Sequence, residues 1–184
     1  MRVYFSGGMS LGKSTVARHI AKHYKVNFIS ETARMVLSEQ ELQIDSLRCN
    51  LDVADKFQED VFHRQLEEEK KHKEFVSDRS VLDILAYSAQ HSRILPKLLK
   101  HQELTEYLDM LKARNSFVFF VRPTKATLKA DGVRETLNWD AIVSIDGMIK
   151  LLLEQHEIKY FTINTENMQE RIREVTSVLD LHMT

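Results

Sequence analysis

The chain has 184 residues, 43% hydrophobic and 29% charged, which fits one globular domain and excludes wholesale disorder. Lysine plus arginine (26) nearly balances aspartate plus glutamate (27), so bulk positive charge does not tie this protein to nucleic acid; only a local basic groove could. Cys49 is the single cysteine and cannot form an internal disulfide, no apolar run approaches the roughly 20 residues of a membrane span, and nothing resembles a secretory leader, so we expect a cytoplasmic protein with no membrane partner.

Arg2-Val3-Tyr4-Phe5 is a short β-prone run that stops at Ser6-Gly7-Gly8. From Lys13 the pattern turns helical, with Val16, Ile20 and Tyr24 along one face, and Asn27-Phe28-Ile29 reads as a second strand. The spacing of Leu51, Ala54, Phe57, Val61 and Phe62 predicts core positions on a long helix over 51–73. Its end, Glu67 to Lys73, sets acids before bases and reads as solvated. Phe75-Val76 is a brief buried strand closed by Asp78, and helical patterns follow over roughly 80–91 and 96–113. Ser116 to Val121 is the clearest strand. Arg122 to Leu137 is polar and aperiodic around Pro123 and Gly132, as a loop or closing cover would be. A helix carrying Ile142, Ile145, Ile149, Leu152 and Leu153, the strand Tyr160 to Ile163 and a C-terminal helix complete the chain. Five strands separated by helices imply crossover units: an α/β fold of three layers, with a mainly parallel sheet and helices on both faces. We expect one domain over 1–184, with a lid at about 122–137.

Three of the five glycines, Gly7, Gly8 and Gly12, fall beside the first strand, where backbone must pass close to something. Gly7-Gly8-Met9-Ser10-Leu11-Gly12-Lys13-Ser14 satisfies G-x-x-x-x-G-K-[ST], the phosphate-binding P-loop. Between a strand and a helix, the backbone from Gly7 through Thr15 would wrap a phosphate chain with its N–H groups, helped by the positive end of the helix dipole. Lys13 would reach the β- and γ-phosphates of ATP, and the Ser14 hydroxyl would ligate Mg²⁺.

Such a loop needs a carboxylate at a neighbouring strand end, and Asp78 is the acid that closes a clean apolar strand. It would serve the metal or the acceptor; the plainer reading makes Asp78 or Ser80 a helix N-cap. Glu31 follows the second strand at the same carboxyl edge and is a candidate base for an acceptor hydroxyl. Plainly read, Ser30 is a cap and Glu31 an early-turn acid. Arg34 lies on the same side of a helix and could pair with Glu31 or the acceptor. Arg122, Lys125, Lys129 and Arg134 are the cations of the polar segment, and Arg134, near Gly132, is the preferred lid cation; the alternative is an ordinary solvated loop. The eight histidines show no metal-ligand spacing, Met9 reads as packing, and Phe117, Phe119 and Phe120 read as core.

Four stretches carry a family resemblance: GGMSLGKSTVARHIAKHY, ISETARMVL, FVSDRSVLDILAY and VRPTKATLKADGVRE. Together they resemble the P-loop nucleoside and nucleotide kinases, and more closely an ATP-binding family related to bacterial nicotinamide riboside kinases, with many bacteriophage members. Asp78-Arg79-Ser80 is similar to the acid-Arg-Ser of deoxynucleoside kinases and the Asp-Arg of thymidylate kinases. The resemblance implies Glu31 as acceptor-side base, Asp78 on metal or acceptor, and Arg79 on phosphates. Thr32 stands where deoxynucleoside kinases usually carry proline, and the lid lacks a paired-arginine repeat, so the acceptor stays open. The expected function is γ-phosphoryl transfer from ATP with Mg²⁺ to a nucleoside, nucleotide or related acceptor. Two rivals are a kinase of a hydroxymethylated base in phage DNA (5-hydroxymethyluracil DNA kinase) and a nucleotide-gated regulatory module. The latter usually needs an acid pair where this chain has Asp78-Arg79. A homodimer is left open.

Overall fold

The computed structural model describes residues 1–9, 11–42, 47, 49–124 and 139–183. In chain order the elements are β1 (Arg2–Ser6), α1 (Lys13–Tyr24), β2 (Asn27–Ile29), α2 (Thr32–Glu39), α3 (Leu51–Lys70), β3 (Phe75–Asp78) and α4 (Val81–His91). They continue with α5 (Leu95–Leu98), α6 (Gln102–Lys112), β4 (Ser116–Val121), α7 (Trp139–Gln155), β5 (Tyr160–Ile163) and α8 (Met168–Met183). The strands form one parallel sheet in the order β2-β3-β1-β4-β5. This is the α/β, three-layer P-loop architecture expected from the sequence.

Strand side chains alternate between two cores. Val3 and Phe5 of β1 pack on one face with Val16 and Ile20 of α1 and with Val175 and Leu179 of α8. Tyr4 faces the other side, with Phe57 and Phe62 of α3, Leu82 and Leu85 of α4, Tyr107 of α6 and Ile149 of α7. Because both faces are covered, β4 reads as an almost unbroken apolar run, Phe117 to Val121, buried throughout. Phe117, Phe119 and Phe120 are therefore core, as expected.

Four local expectations need correction. The pattern over 96–113 is two helices, because His101 adopts an extended backbone and its ring accepts the Glu103 N–H at 3.3 Å, starting α6 afresh. Leu51 is 51% exposed: it sits in the first turn of α3, just after the Asn50 cap, off the buried stripe. That helix ends at Lys70, not 73, and its charged end is not wholly solvated. Glu69 is buried, and its carboxylate accepts hydrogen bonds from Gln65 Nε2 (2.7 Å), Tyr4 Oη (3.0 Å) and Tyr107 Oη (3.0 Å). Burial pushes its pKa up to about 7, against the opposing pull of those three donors. Finally, α2 starts at Thr32 with Glu31 in the N-cap position, so Ser30 is not its cap. Among the described residues, no helix is long and apolar enough to cross a membrane.

Candidate active site

Parallel strands deliver their carboxyl ends to one edge, where loops gather ligands. Phe5 of β1 pairs in register with Asp78 of β3, so the start of the phosphate loop and the strand-end acid lie side by side. Gly7 has φ 143°, and a Cβ there would meet the Val121 carbonyl oxygen at 2.3 Å; only glycine lets the loop leave β1 this close to β4. Gly12, at φ 78°, starts α1 in the left-handed region, where a Cβ would meet Met168 Cε at 2.8 Å.

The two polar residues that follow bring the loop together with its neighbours. Lys13 is 5% exposed, and its ammonium donates to the Gly8 carbonyl across the loop. Burial, followed by the like charge of Arg79, lowers its pKa from 10.5 to about 8, against the attraction of Asp78, Asp83 and Glu31. Ser14 Oγ donates to Asp78 Oδ2. Two hard oxygens thus converge below the loop, a donor set that suits a Mg²⁺ ion shared with substrate phosphates. Thr15 has an exposed side chain, and its N–H donates to the Gly12 carbonyl at 3.2 Å.

A second pair stands beside the first. Arg79 Nε donates to Glu31 Oε1 at 2.8 Å, and Arg34 Nε lies 2.7 Å from Glu31 Oε2. Burial alone would raise the Glu31 pKa, but the charges of Arg79, Lys13 and Arg34 outweigh it and hold the carboxyl below its usual value. Arg79 is 6% exposed, stacks over the Tyr87 ring with its guanidinium 4.7 Å from the centroid, and reaches the Gly7 carbonyl at 3.4 Å. Its backbone has φ 100°, outside the range that L residues favour, and this strained turn lies between β3 and α4, beside the start of the phosphate loop. The structure thus brings Lys13, Ser14, Glu31, Arg34, Asp78 and Arg79 to one edge. Ser10, Lys125, Lys129 and Arg134 lie outside the described residues. Arg122 is committed to an ion pair with Asp146 of α7 (2.6 Å).

Ser80, not Asp78, caps the helix after β3, and does so reciprocally with Asp83: Ser80 N–H and Oγ each lie 2.9 Å from Asp83 Oδ2. Asp83 is fully buried, and its other oxygen accepts the Gly7 N–H at 2.8 Å, tying the first residue of the phosphate loop to α4. Sequence reasoning missed this residue as part of the site. The Ser80-x-x-Asp83 spacing was a readable capping signal, but nothing local announced the reach to Gly7. It also missed Arg171 of α8, which is 2% exposed and donates from Nη1 to the Leu11 carbonyl and from Nε to the Thr165 carbonyl. No sequence signal marks that contact.

Sheet, loop and strand-end acid define a P-loop α/β protein with the kinase fold. The chain belongs to the AAA domain family, which it matches over residues 2–171. It is similar to YorR of Bacillus subtilis, solved with phosphorylated GDP, at a TM-score of 0.67 and 17% identity over 100% of this chain and 98% of that one. Deoxyadenosine kinase from M. mycoides with bound dCTP gives a TM-score of 0.68 and 15% identity over 98% and 99% of the two chains. NadR in complex with NAD and AMP-PNP gives 0.72 and 12% identity, covering 100% of this chain and 49% of that one. At such identities the likeness is one of fold. No curated protein sequence matches the chain.

Proposed function

We propose that this chain is an ATP- and Mg²⁺-dependent kinase that transfers the γ-phosphoryl group to a nucleoside, nucleotide or similarly small acceptor. The observation that carries this reading is the adjacency of two polar pairs, Ser14–Asp78 and Glu31–Arg79, beside one phosphate loop. The first pair suits the donor and the second an acceptor hydroxyl. A regulatory module would want a second acid after Asp78; here that position is Arg79, turned back onto Glu31.

In the transfer, the acceptor oxygen bonds to the γ-phosphorus as the bond to the β-phosphate oxygen breaks, and charge gathers on the γ- and leaving oxygens. Lys13 and the loop N–H groups would hold that charge, with Arg79 adding a bidentate fork. Ser14 and Asp78 would hold Mg²⁺, which when bound neutralises the β- and γ-oxygens. Glu31, ionised between Arg79 and Arg34, would orient the acceptor hydroxyl and take its proton as the new bond acidifies it. On this reading residues 1–184 are one kinase domain, 122–137 its lid, and Arg134 the cation the lid delivers.

Incubation with radiolabelled ATP and Mg²⁺ against nucleosides, nucleoside monophosphates and hydroxymethylated DNA tests the proposal. Label on a small acceptor supports it, label on DNA alone moves the acceptor to a base within a strand, and label on none of them with ATP hydrolysis intact overturns the kinase reading.

A further inference from the structure

Among the described residues Arg171 is the largest fully buried side chain, and the hydrogen bonds it donates go to main-chain carbonyls. The carboxylates of Glu166 and Glu174 attract this guanidinium, yet burial outweighs them and disfavours its charged form, a cost that an apolar side chain of similar size would not carry. Its Nη2 also has no hydrogen-bond partner among the described residues. Packing therefore does not explain the arginine; what it holds does.

Nη1 grips the carbonyl of Leu11, inside the phosphate loop, while Nε grips the carbonyl of Thr165, in the turn between β5 and α8. In a trans peptide the carbonyl and the following N–H point in opposite directions. Fixing the Leu11 carbonyl on the α8 side therefore turns the Gly12 N–H away from it. A phosphate loop works through the direction of its N–H groups, and glycine at position 12 leaves this peptide the rotational freedom that makes an external hold necessary. Gly12 also lies directly beneath this contact: a carbon added there would sit at van der Waals distance, 3.5 Å, from Arg171 Nη1, and would crowd Met168 Cε at 2.8 Å.

We propose that Arg171 is a positioning residue of the donor site: it sets the Leu11–Gly12 peptide so that the loop is ready for the phosphates of a nucleoside triphosphate. This rests on the reading of the loop as a nucleotide site. Arg171→Met keeps length and removes the donors, whereas Arg171→Lys keeps one charged donor that can hold one carbonyl but not both. With AMP-PNP as the probe, Arg171→Met should raise the Kd tenfold or more and leave the acceptor KM within twofold, with a melting temperature equal to or above that of the parent. Arg171→Lys should recover part of the affinity. In the unliganded protein, the amide resonance of Gly12 should move in Arg171→Met. Unchanged AMP-PNP affinity and an unmoved Gly12 resonance in both variants would overturn the inference while leaving the kinase reading intact. An equal loss in both variants that tracks a fall in melting temperature would overturn it as well, since the arginine would then be structural. If Arg171→Met does not fold, Arg171→Lys alone decides between these outcomes. A parent protein that binds no AMP-PNP would instead remove the nucleotide reading beneath it.

Discussion

Glu31 and Arg79 meet across the ends of β2 and β3, Oε1 to Nε at 2.8 Å, from positions 48 residues apart. The pair is shielded, with 15% and 7% of the two side chains exposed, so neither charge is lost to solvent screening. Glu31→Gln keeps an oxygen for Arg79 Nε and removes the charge. We expect kcat to fall by about 10²–10⁴-fold with AMP-PNP affinity within a few-fold, since general-base and orienting roles act on the acceptor. Steady-state kinetics with the acceptor found in the screen would check this, and an unchanged kcat would leave the pair with structure alone.

Asp78 and Asp83 are both buried acids near Ser80, yet they should separate cleanly. Asp78→Asn touches no helix cap, so stability should hold while Mg²⁺ dependence weakens and kcat drops. Asp83→Asn damages the reciprocal cap and the Gly7 N–H bond, and should cost about 1–3 kcal/mol of unfolding free energy. Urea denaturation beside Mg²⁺ titrations of activity distinguishes the two. Equal stability loss in both variants would contradict the assignment of the cap to Ser80.

Lys13 carries a pH signature. With its pKa lowered from 10.5 to about 8 in the unliganded protein, the ammonium that would hold phosphate is fully present below that value and lost as pH rises through it. Nucleotide affinity should therefore fall above about pH 8, and binding at pH 8.5 should take up a proton as the phosphates restore the charge. Titration calorimetry in buffers of different ionisation enthalpy reads that proton directly. Lys13→Ala should abolish the uptake and lower transfer by about 10²–10³-fold or more.

Glu69 makes the opposite kind of prediction, for the fold. Its pKa is raised from 4.5 to about 7, so the native state holds a proton that the unfolded chain has released. Its contribution is complete below about 4.5 and is lost as pH rises to about 7, a change of roughly 3 kcal/mol. Glu69→Gln can still accept from Gln65 and Tyr107 through its oxygen while donating to the Tyr4 hydroxyl. The stability difference between parent and variant, from urea unfolding at pH 5, 6, 7 and 8, should therefore move in favour of the variant with rising pH. A difference that stays flat would place the ionisation of Glu69 elsewhere.

Much of this was legible because it is local. The glycine spacing, the apolar runs of β1, β3 and β4, and the acids that close β2 and β3 all sit within short windows whose periodicity or punctuation is set by neighbouring residues. What escaped was decided by partners far along the chain. Glu69 lies in a run of charges and reads as solvated; its burial follows from Tyr4 and Tyr107, which are 65 and 38 residues away. Asp83 looks like an ordinary third residue of a helix until Gly7 is brought to it from 76 positions off. The break before α6 turned on a histidine taking a capping role more often filled by smaller polar side chains.

The grip of Arg171 on Leu11 spans 160 positions, whereas the whole glycine motif lies between residues 7 and 14. A growing chain therefore exposes its glycine motif well before it has made the side chain that grips the Leu11 carbonyl. β1 must also wait for both of its sheet neighbours, β3 and β4, before its own edge is closed. Contacts of such long range form late and slowly. Ribosome-bound fragments ending short of α8 would thus display the glycine loop without the contact that ties it to the last helix, so on the reading proposed above a nucleoside triphosphate would reward only the finished fold.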